Sequence, residues 1–185
     1  MGLALIAGAL IVGFGIWTFN RLIQLRQLAD NAWADIDVQL KRRHDLIPSV
    51  VAVVKGHAGY ERGTLEAVVE ARNRAVQATG PAAKADAETP VAGSLQRIFA
   101  IAEAYPELRA AESFRELQVT LSDVEDHLQN ARRYYNAVVR DYNTMLRQFP
   151  QSMVAGVMRM QPREFFELEN AAEAKAPVVD LKKEA

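Results

Sequence analysis

The sequence predicts an all-α protein, in which an N-terminal transmembrane helix continues into an antiparallel bundle of about four long helices. Three observations support this class. The first 20 of 185 residues carry no charge, two long segments repeat apolar residues every three or four positions, and no segment sustains the apolar-polar alternation of a half-buried strand. Because the turns between the helical segments are short, neighbouring helices are expected to run antiparallel.

Residues 1–20 are predicted to form the membrane anchor. In the apolar run 2–19 the only polar side chain is Thr18, and 18 helical residues span about 27 Å, enough to cross a hydrocarbon core and contact membrane lipid. No basic residue precedes the run, and Trp17 and Phe19 stand where a signal peptide would have a small-residue cleavage site. We therefore expect the anchor to be retained.

The orientation of the anchor is predicted from the charges that flank it. Arg21 and Arg26 follow the apolar run, whereas a single uncharged residue precedes it. Since basic residues favour the cytoplasmic side, the N-terminus is expected outside and the C-terminal domain in the cytoplasm. Trp17, Arg21 and Arg26 are the expected contacts with the lipid headgroups.

Composition limits the partners of the remaining chain. Its 22 basic and 23 acidic residues all lie beyond residue 20, and both signs are interspersed along every segment, which argues against a nucleic-acid-binding face. The absence of cysteine excludes disulfides and thiolate chemistry. Residues 21–176 suit one helical-bundle domain, and residues 177–185 suit a flexible C-terminal tail.

The first long helix is predicted to continue from the anchor. Pro48 is expected to kink or split it, and Gly56 and Gly59 to end it. Its inward stripe comprises Leu22, Leu25, Ala29, Trp33, Ile36, Leu40, Ile47, Val50 or Val51, and Val54.

Two shorter helices are predicted next. One covers residues 60 to 79 and is stopped by Gly80 and Pro81. The alanine-rich stretch 80–90 is predicted to be a mobile loop. A short helix then presents one face that comprises Val91, Leu95, Ile98, Ala102 and Tyr105.

The clearest periodicity predicts a helix of about 38 residues, or 57 Å, between the turn after Pro106 and Pro150, with Ala110 and Ala111 in its first turn. A final amphipathic piece after Pro162 carries Phe165, Phe166 and Leu168. The seam of the long helix comprises Phe114, Leu117, Leu121, Val124, Leu128, Ala131, Tyr135, Val138, Tyr142, Met145 and Phe149.

Seven short motifs occur in order along the chain: residues 39–48 (QLKRRHDLIP), 66–68 (EAV), 70–72 (EAR), 103–108 (EAYPEL), 131–136 (ARRYYN), 142–143 (YN) and 149–150 (FP). In this order they resemble the LemA family of bacterial membrane-anchored proteins. The resemblance implies a cytoplasm-facing helical bundle on one N-terminal anchor in the bacterial inner membrane, and it implies no settled biochemical activity. Three departures are Ser49 after the proline, His57 in place of a common tyrosine, and the lack of a final phenylalanine in 177–181.

The cluster Arg42, Arg43, His44 and Asp45 interrupts the apolar stripe of the first helix, so Arg43 or His44 is expected to face the bundle. A buried arginine needs a carboxylate partner. Asp45 is too close in sequence, so the partner is expected from another helix, and the alternatives are Glu103, Asp123, Glu125 and Asp126. Such a pair is primarily structural, although ion-pair networks also mark functional sites.

No catalytic or metal-binding pattern emerges. A di-iron bundle needs Glu-x-x-His on two helices, but Lys41, Val54 and Val124 precede the three histidines by three positions. Phosphate-loop, nucleophile-elbow, metalloprotease and kinase motifs are also missing. The sequence therefore predicts no metal, no cofactor and no enzyme.

Polar and aromatic residues surround the seam of the long helix, together with Arg132 and Arg133. Asn136 and Asn143 are seven apart and share a side. Their amides, with the nearby tyrosine hydroxyls including Tyr134 and Tyr142, either hydrogen-bond across the bundle or line a binding groove.

The function predicted from these features is that of a membrane-anchored scaffold or adaptor, which binds unidentified partner proteins and forms homo-oligomers. The alternative is an enzyme or small-ligand sensor, in which Arg43, His44, Glu103 and Tyr105 converge in a cleft. An open pocket shared by these four side chains would favour the alternative, and a closed ion-pair network would favour the scaffold.

Overall fold

The computed structural model describes residues 1–57 and 62–167, and in these ranges it contains helices and no strand. This confirms the all-α class with a long N-terminal helix. The helices are α1 (Gly2–His57), α2 (Arg62–Gln77), α3 (Pro81–Ala104), α4 (Pro106–Ala110), α5 (Glu112–Arg147) and α6 (Gln151–Val157). The predicted tail 177–185 and Leu168 lie outside the described residues.

Helix α1 joins the anchor and the bundle without a break over 56 residues, or about 84 Å. Its N-terminal part is long and apolar enough to cross a membrane, with a mean hydropathy of 2.0. Of residues 1–20 only Thr18 is buried, so nearly the whole segment presents apolar side chains outward, as membrane association requires. Pro48 lies inside the helix and does not split it.

Helix α3 corrects two predictions. It begins at Pro81, so the stretch 80–90 is helical rather than a loop, and the predicted short helix has 24 residues. Pro81 needs no intrahelical N–H at the first helical position, and alanine has the highest helix propensity. Lys84 also pairs with Asp37 and lies 5.7 Å over the ring of Trp33, which ties this part of α3 to α1.

The predicted helix of about 38 residues is confirmed as α5, which has 36 residues, but it begins later than expected because Ala111 is extended (ψ 123°) between α4 and α5. Ala110 and Ala111 therefore do not start the long helix; the carbonyls of Glu107 and Leu108 accept the N–H of Ala111 in a tight turn. Most of the predicted seam is buried, but Leu117 and Ala131 are half-buried and Phe149 is exposed.

After α5 the chain differs from prediction again. The Phe149–Pro150 bond is cis, and α6 follows where no helix was predicted. Residues 161–167 are not helical, although an amphipathic piece was expected there. We call residues 161–166 the strap, because this irregular segment lies along α1 and α5.

Three apolar clusters show how the helices pack. Next to the membrane, Leu22 and Leu25 cluster with Tyr142 and Met145. In the middle, Ile36 clusters with Leu128 and Tyr135. Farthest from the membrane, residues 47–54 of α1 cluster with α2, α3, α4 and the start of α5. Helices α1 and α5 thus run antiparallel along their length, and α2 and α3 complete the bundle at the distal end.

Candidate functional site

Arg43 and His44 are both buried at the middle of the bundle, whereas Arg42 and Asp45 are exposed on the other side of α1. The apolar stripe passes through Leu40 and Ile47, and the two polar residues fill the turn between them. The sequence predicts that Arg43 or His44 faces the bundle, and both residues do.

Glu88 of α3 is the shared partner of these side chains. Arg43 is 4% exposed and Glu88 is 1% exposed, and Arg43 Nη1 donates to Glu88 Oε2 at 3.2 Å. The other oxygen, Oε1, lies 2.6 Å from His44 Nε2. Arg43 also pairs with Glu125 of α5, which is half-buried. The arginine therefore joins three helices, and we call Arg43, His44, Glu88 and Glu125 the buried network.

Burial lowers the pKa of Arg43, against the attraction and the hydrogen bond of Glu88, which raise it. Because an arginine is so basic, it remains protonated despite this desolvation. Glu125 was among the predicted partners, while Glu103, Asp123 and Asp126 are exposed. Glu88 was missed because residues 80–90 were predicted to be a loop. Its position three residues after Ala85 and three before Val91, both buried, is the signal that could have identified it.

Arg72 explains how α1 continues through Pro48. Proline has no N–H, so the carbonyl of His44, four residues earlier, loses its helical hydrogen-bond donor. Arg72 of α2 donates its Nε–H to this carbonyl at 2.8 Å. Arg72 thus supplies the hydrogen bond that the His44 carbonyl loses to proline, next to the buried network.

The four residues of the alternative hypothesis are not brought together. Glu103 follows Glu88 by 15 residues on α3, or about 22 Å, and is exposed. Tyr105 is half-buried against the distal cluster. His44 does border an open cleft of about 310 Å³. The charged and polar residues that line this cleft with it are Asp37, Lys41, Asp45, Arg72 and Lys84.

The two asparagines of α5 hold the backbone of the strap. Asn143 Nδ2 donates to the carbonyl of Arg163 at 2.8 Å, and Asn143 Oδ1 accepts the N–H of Arg163 at 2.9 Å. Asn136 makes the same pair of bonds with Phe166, both at 3.0 Å. Each amide therefore pairs with the backbone as a neighbouring strand would.

The spacing of these contacts matches the two kinds of backbone. Seven residues along a helix advance about 10.5 Å, and three residues of extended chain advance about 10 Å. The tyrosines follow the same register: Tyr135 donates its hydroxyl to the carbonyl of Glu164 at 2.9 Å, and Tyr142 to that of Gln161 at 3.2 Å. The asparagine and tyrosine pairs, both seven apart, thus form a ladder that selects an extended segment.

Packing and charge complete the strap. Phe166 is fully buried, and its ring meets that of Trp33 edge-on at 5.6 Å. Arg163 pairs with Asp30 of α1. Burial raises the pKa of the Tyr135 hydroxyl; the nearby Arg163 guanidinium opposes this, and the Glu164 and Asp30 carboxylates add to it. The hydroxyl therefore stays a protonated donor at neutral pH.

The remaining predicted residues lie on the surface of α5 or beside the membrane. Tyr134 and Arg133 are exposed, Arg133 bonds Asn130, and Arg132 is half-buried. At the membrane end, Trp17 and Arg26 are exposed, and Arg21 donates to Gln24 at 2.8 Å. Tyr142 and Asn143 thus hydrogen-bond with the strap, whereas Arg133 and Tyr134 lie on the surface away from it.

Comparison with known proteins identifies the family. Magnetosome protein MamQ of Magnetospirillum gryphiswaldense is 22% identical, over 80% of this chain and 64% of that protein. Magnetosome protein MamQ 2 of Paramagnetospirillum magneticum is 20% identical over the same shares. Protein LemA of Metamycoplasma hominis is 24% identical, over 78% of this chain and 69% of that protein.

The chain thus spans slightly less than two thirds of the length of the MamQ relatives, and none of these names states a reaction. A sequence profile described as the LemA family matches residues 32–181, well over half of the chain. The protein belongs to the LemA family.

Proposed function

We propose that the protein is a membrane-anchored helical scaffold that binds partner proteins and copies of itself, and that it is not an enzyme. One observation supports this most: the motif residues that face the bundle or the strap are occupied with internal partners. The buried network pairs Arg43 and His44 with Glu88, and the ladder pairs Asn136 and Asn143 with the strap. These contacts hold the helices and the strap together, and the open cleft beside His44 is not lined by Arg43, Glu103 or Tyr105, the other residues of the enzyme hypothesis.

The proposed location is the bacterial cytoplasmic membrane, with the bundle on the cytoplasmic side. Support comes from the basic residues at the membrane end of the bundle. Arg21 and Arg26 follow the anchor on α1, and Arg147 at the end of α5 lies near the same level, because Met145 clusters with Leu22. Positive charge beside a membrane span favours the cytoplasmic side.

Self-association is the first expected outcome. The full-length chain in detergent should form dimers or larger oligomers, whose proportion rises with concentration as mass action requires of a self-associating chain. Size-exclusion chromatography at a series of micromolar concentrations measures the distribution. A strict monomer throughout the micromolar range would remove self-association from the proposal.

Binding to other proteins is then tested separately by photo-crosslinking in cells from exposed positions of α5. Val119 and Tyr134 are suitable sites because both side chains point to solvent. Discrete protein adducts from these sites support an adaptor; adducts with lipid alone would contradict it.

Topology is the second expected outcome. A reporter fused after Ala185 should be active in the format that needs the cytoplasm and silent in the format that needs the outer side of the membrane. The reason is the basic bias of Arg21 and Arg26. Activity of the second format only would show that the C-terminal domain lies outside. The double substitution Arg21→Glu and Arg26→Glu tests whether these two positive charges set the orientation.

A further inference from the structure

Helix α6 packs against the part of α1 that belongs to the membrane anchor. Ala155 is buried and clusters with Leu22 and Leu25, just beyond the anchor. Between the two helices an apolar groove of about 440 Å³ opens outward. Its walls are Val12, Gly15, Ile16 and Phe19 of α1 and Met153, Val154, Val157 and Met158 of the α6 segment.

The α6 segment has the composition of a membrane-inserted surface. No charged residue occurs between Arg147 and Arg159, so 11 consecutive residues are uncharged. The apolar side chains that do not face the bundle point outward: Val157 is 80% exposed, and Phe149, Met153 and Met158 are also exposed. A short helix that presents apolar side chains to water on its outer face has no stabilising contact there.

We propose that α6 and Phe149 insert into the leaflet next to the bundle, and that lipid acyl chains fill the groove between α6 and the anchor. The proposal depends on the anchor and not on partner binding. Because half of the groove is the anchor itself, whatever fills it must lie within the membrane. Lipid is the occupant that is continuous with the surroundings of residues 2–19.

Depth agrees with this assignment. Val12 precedes Phe19 by seven residues, or about 10.5 Å, and interfacial helices insert about 5–10 Å into the boundary between headgroups and acyl chains. Arg147 and Arg159 stand at the two ends of the uncharged stretch, and both are exposed. With Arg21 and Arg26 they place four guanidinium groups where the headgroups begin.

The test uses the cysteine-free chain, in which one introduced cysteine is the only labelling site. Val157→Cys and the control Val119→Cys replace two exposed valines, one on α6 and one on α5 far from the anchor. Each full-length variant carries an environment-sensitive fluorophore in phosphatidylethanolamine–phosphatidylglycerol vesicles. We expect the label at position 157 to emit at shorter wavelength and to be quenched several-fold more by nitroxide-labelled lipids than the label at position 119.

Two results would overturn the proposal. Equal emission and equal quenching at the two positions would place α6 in water. In the second, the label at position 157 emits at shorter wavelength but is not quenched by lipid nitroxides, and the wavelength shift disappears when the protein is diluted with excess lipid. This result would assign the groove to the anchor of a second copy. A monomeric chain with strong lipid quenching would still support insertion, so this outcome is separate from the test of self-association.

Discussion

Arg43→Ala is expected to lower the free energy of unfolding by about 3–5 kcal/mol, because it leaves Glu88 buried without its cationic partner. Glu88 is almost fully buried, and its remaining neighbour in the buried network is His44. The same substitution at Arg42, which is exposed on the next position of α1, should change stability within roughly 0.5 kcal/mol. Urea unfolding of a fragment that begins near Arg21 measures both.

A double substitution separates lost charge balance from lost packing. Arg43→Met together with Glu88→Leu removes both charges and keeps apolar volume, so it should be less destabilising than Arg43→Met alone. Equal, small losses for Arg43→Ala and Arg42→Ala would contradict a buried structural pair. The motif would then be better explained by a surface role in binding a partner.

That Arg43 or His44 faces the bundle could be predicted from sequence, but their shared partner Glu88 could not. The interrupted stripe between Leu40 and Ile47 follows from helical periodicity alone. Glu88 required a correct assignment of residues 80–90, where Gly80, Pro81 and Pro90 suggest a loop. Pro81 starts α3 instead, and packing of Ala85 and Glu88 outweighs the cost of Pro90 inside the helix.

The bond from Arg72 to the carbonyl of His44 shows a second limit. Because proline lacks an N–H, a kink or a break was expected at Pro48, but α1 continues through it. Which side chain replaces the donor depends on the docking of α2, 28 residues later in the chain. Sequence spacing within α1 contains no information on that contact.

The strap and α6 show the third limit. The sequence predicts an amphipathic piece after Pro162 that carries Phe165 and Phe166, but not that residues 161–167 are irregular and lie along α5. The peptide groups of Arg163 and Phe166 hydrogen-bond with asparagine side chains 20 and 30 residues earlier, and a helix would need those same groups. Side-chain amides compete with helical hydrogen bonds, and here the competition is decided by distant residues.

Phe166→Ala is expected to release the strap and to lower the free energy of unfolding by about 3–5 kcal/mol, the usual cost for a buried phenylalanine. Phe166 is fully buried beside Trp33 and Tyr135, so truncation leaves a cavity between α1 and α5. Asn136 hydrogen-bonds with the backbone of Phe166 itself. Loss of the buried ring should therefore also weaken these two bonds of the ladder.

Limited trypsin digestion detects the release, since a bound strap protects the peptide bond after Arg163 and a free one exposes it. Glu167→Ala, at the exposed neighbouring position, is the control and should change stability within roughly 0.5 kcal/mol without new cleavage. If Phe166→Ala lost stability but Arg163 stayed protected, the ladder alone would hold the strap. In that case the combined Asn136→Ala and Asn143→Ala substitutions, and not the loss of the ring, would expose Arg163 to trypsin.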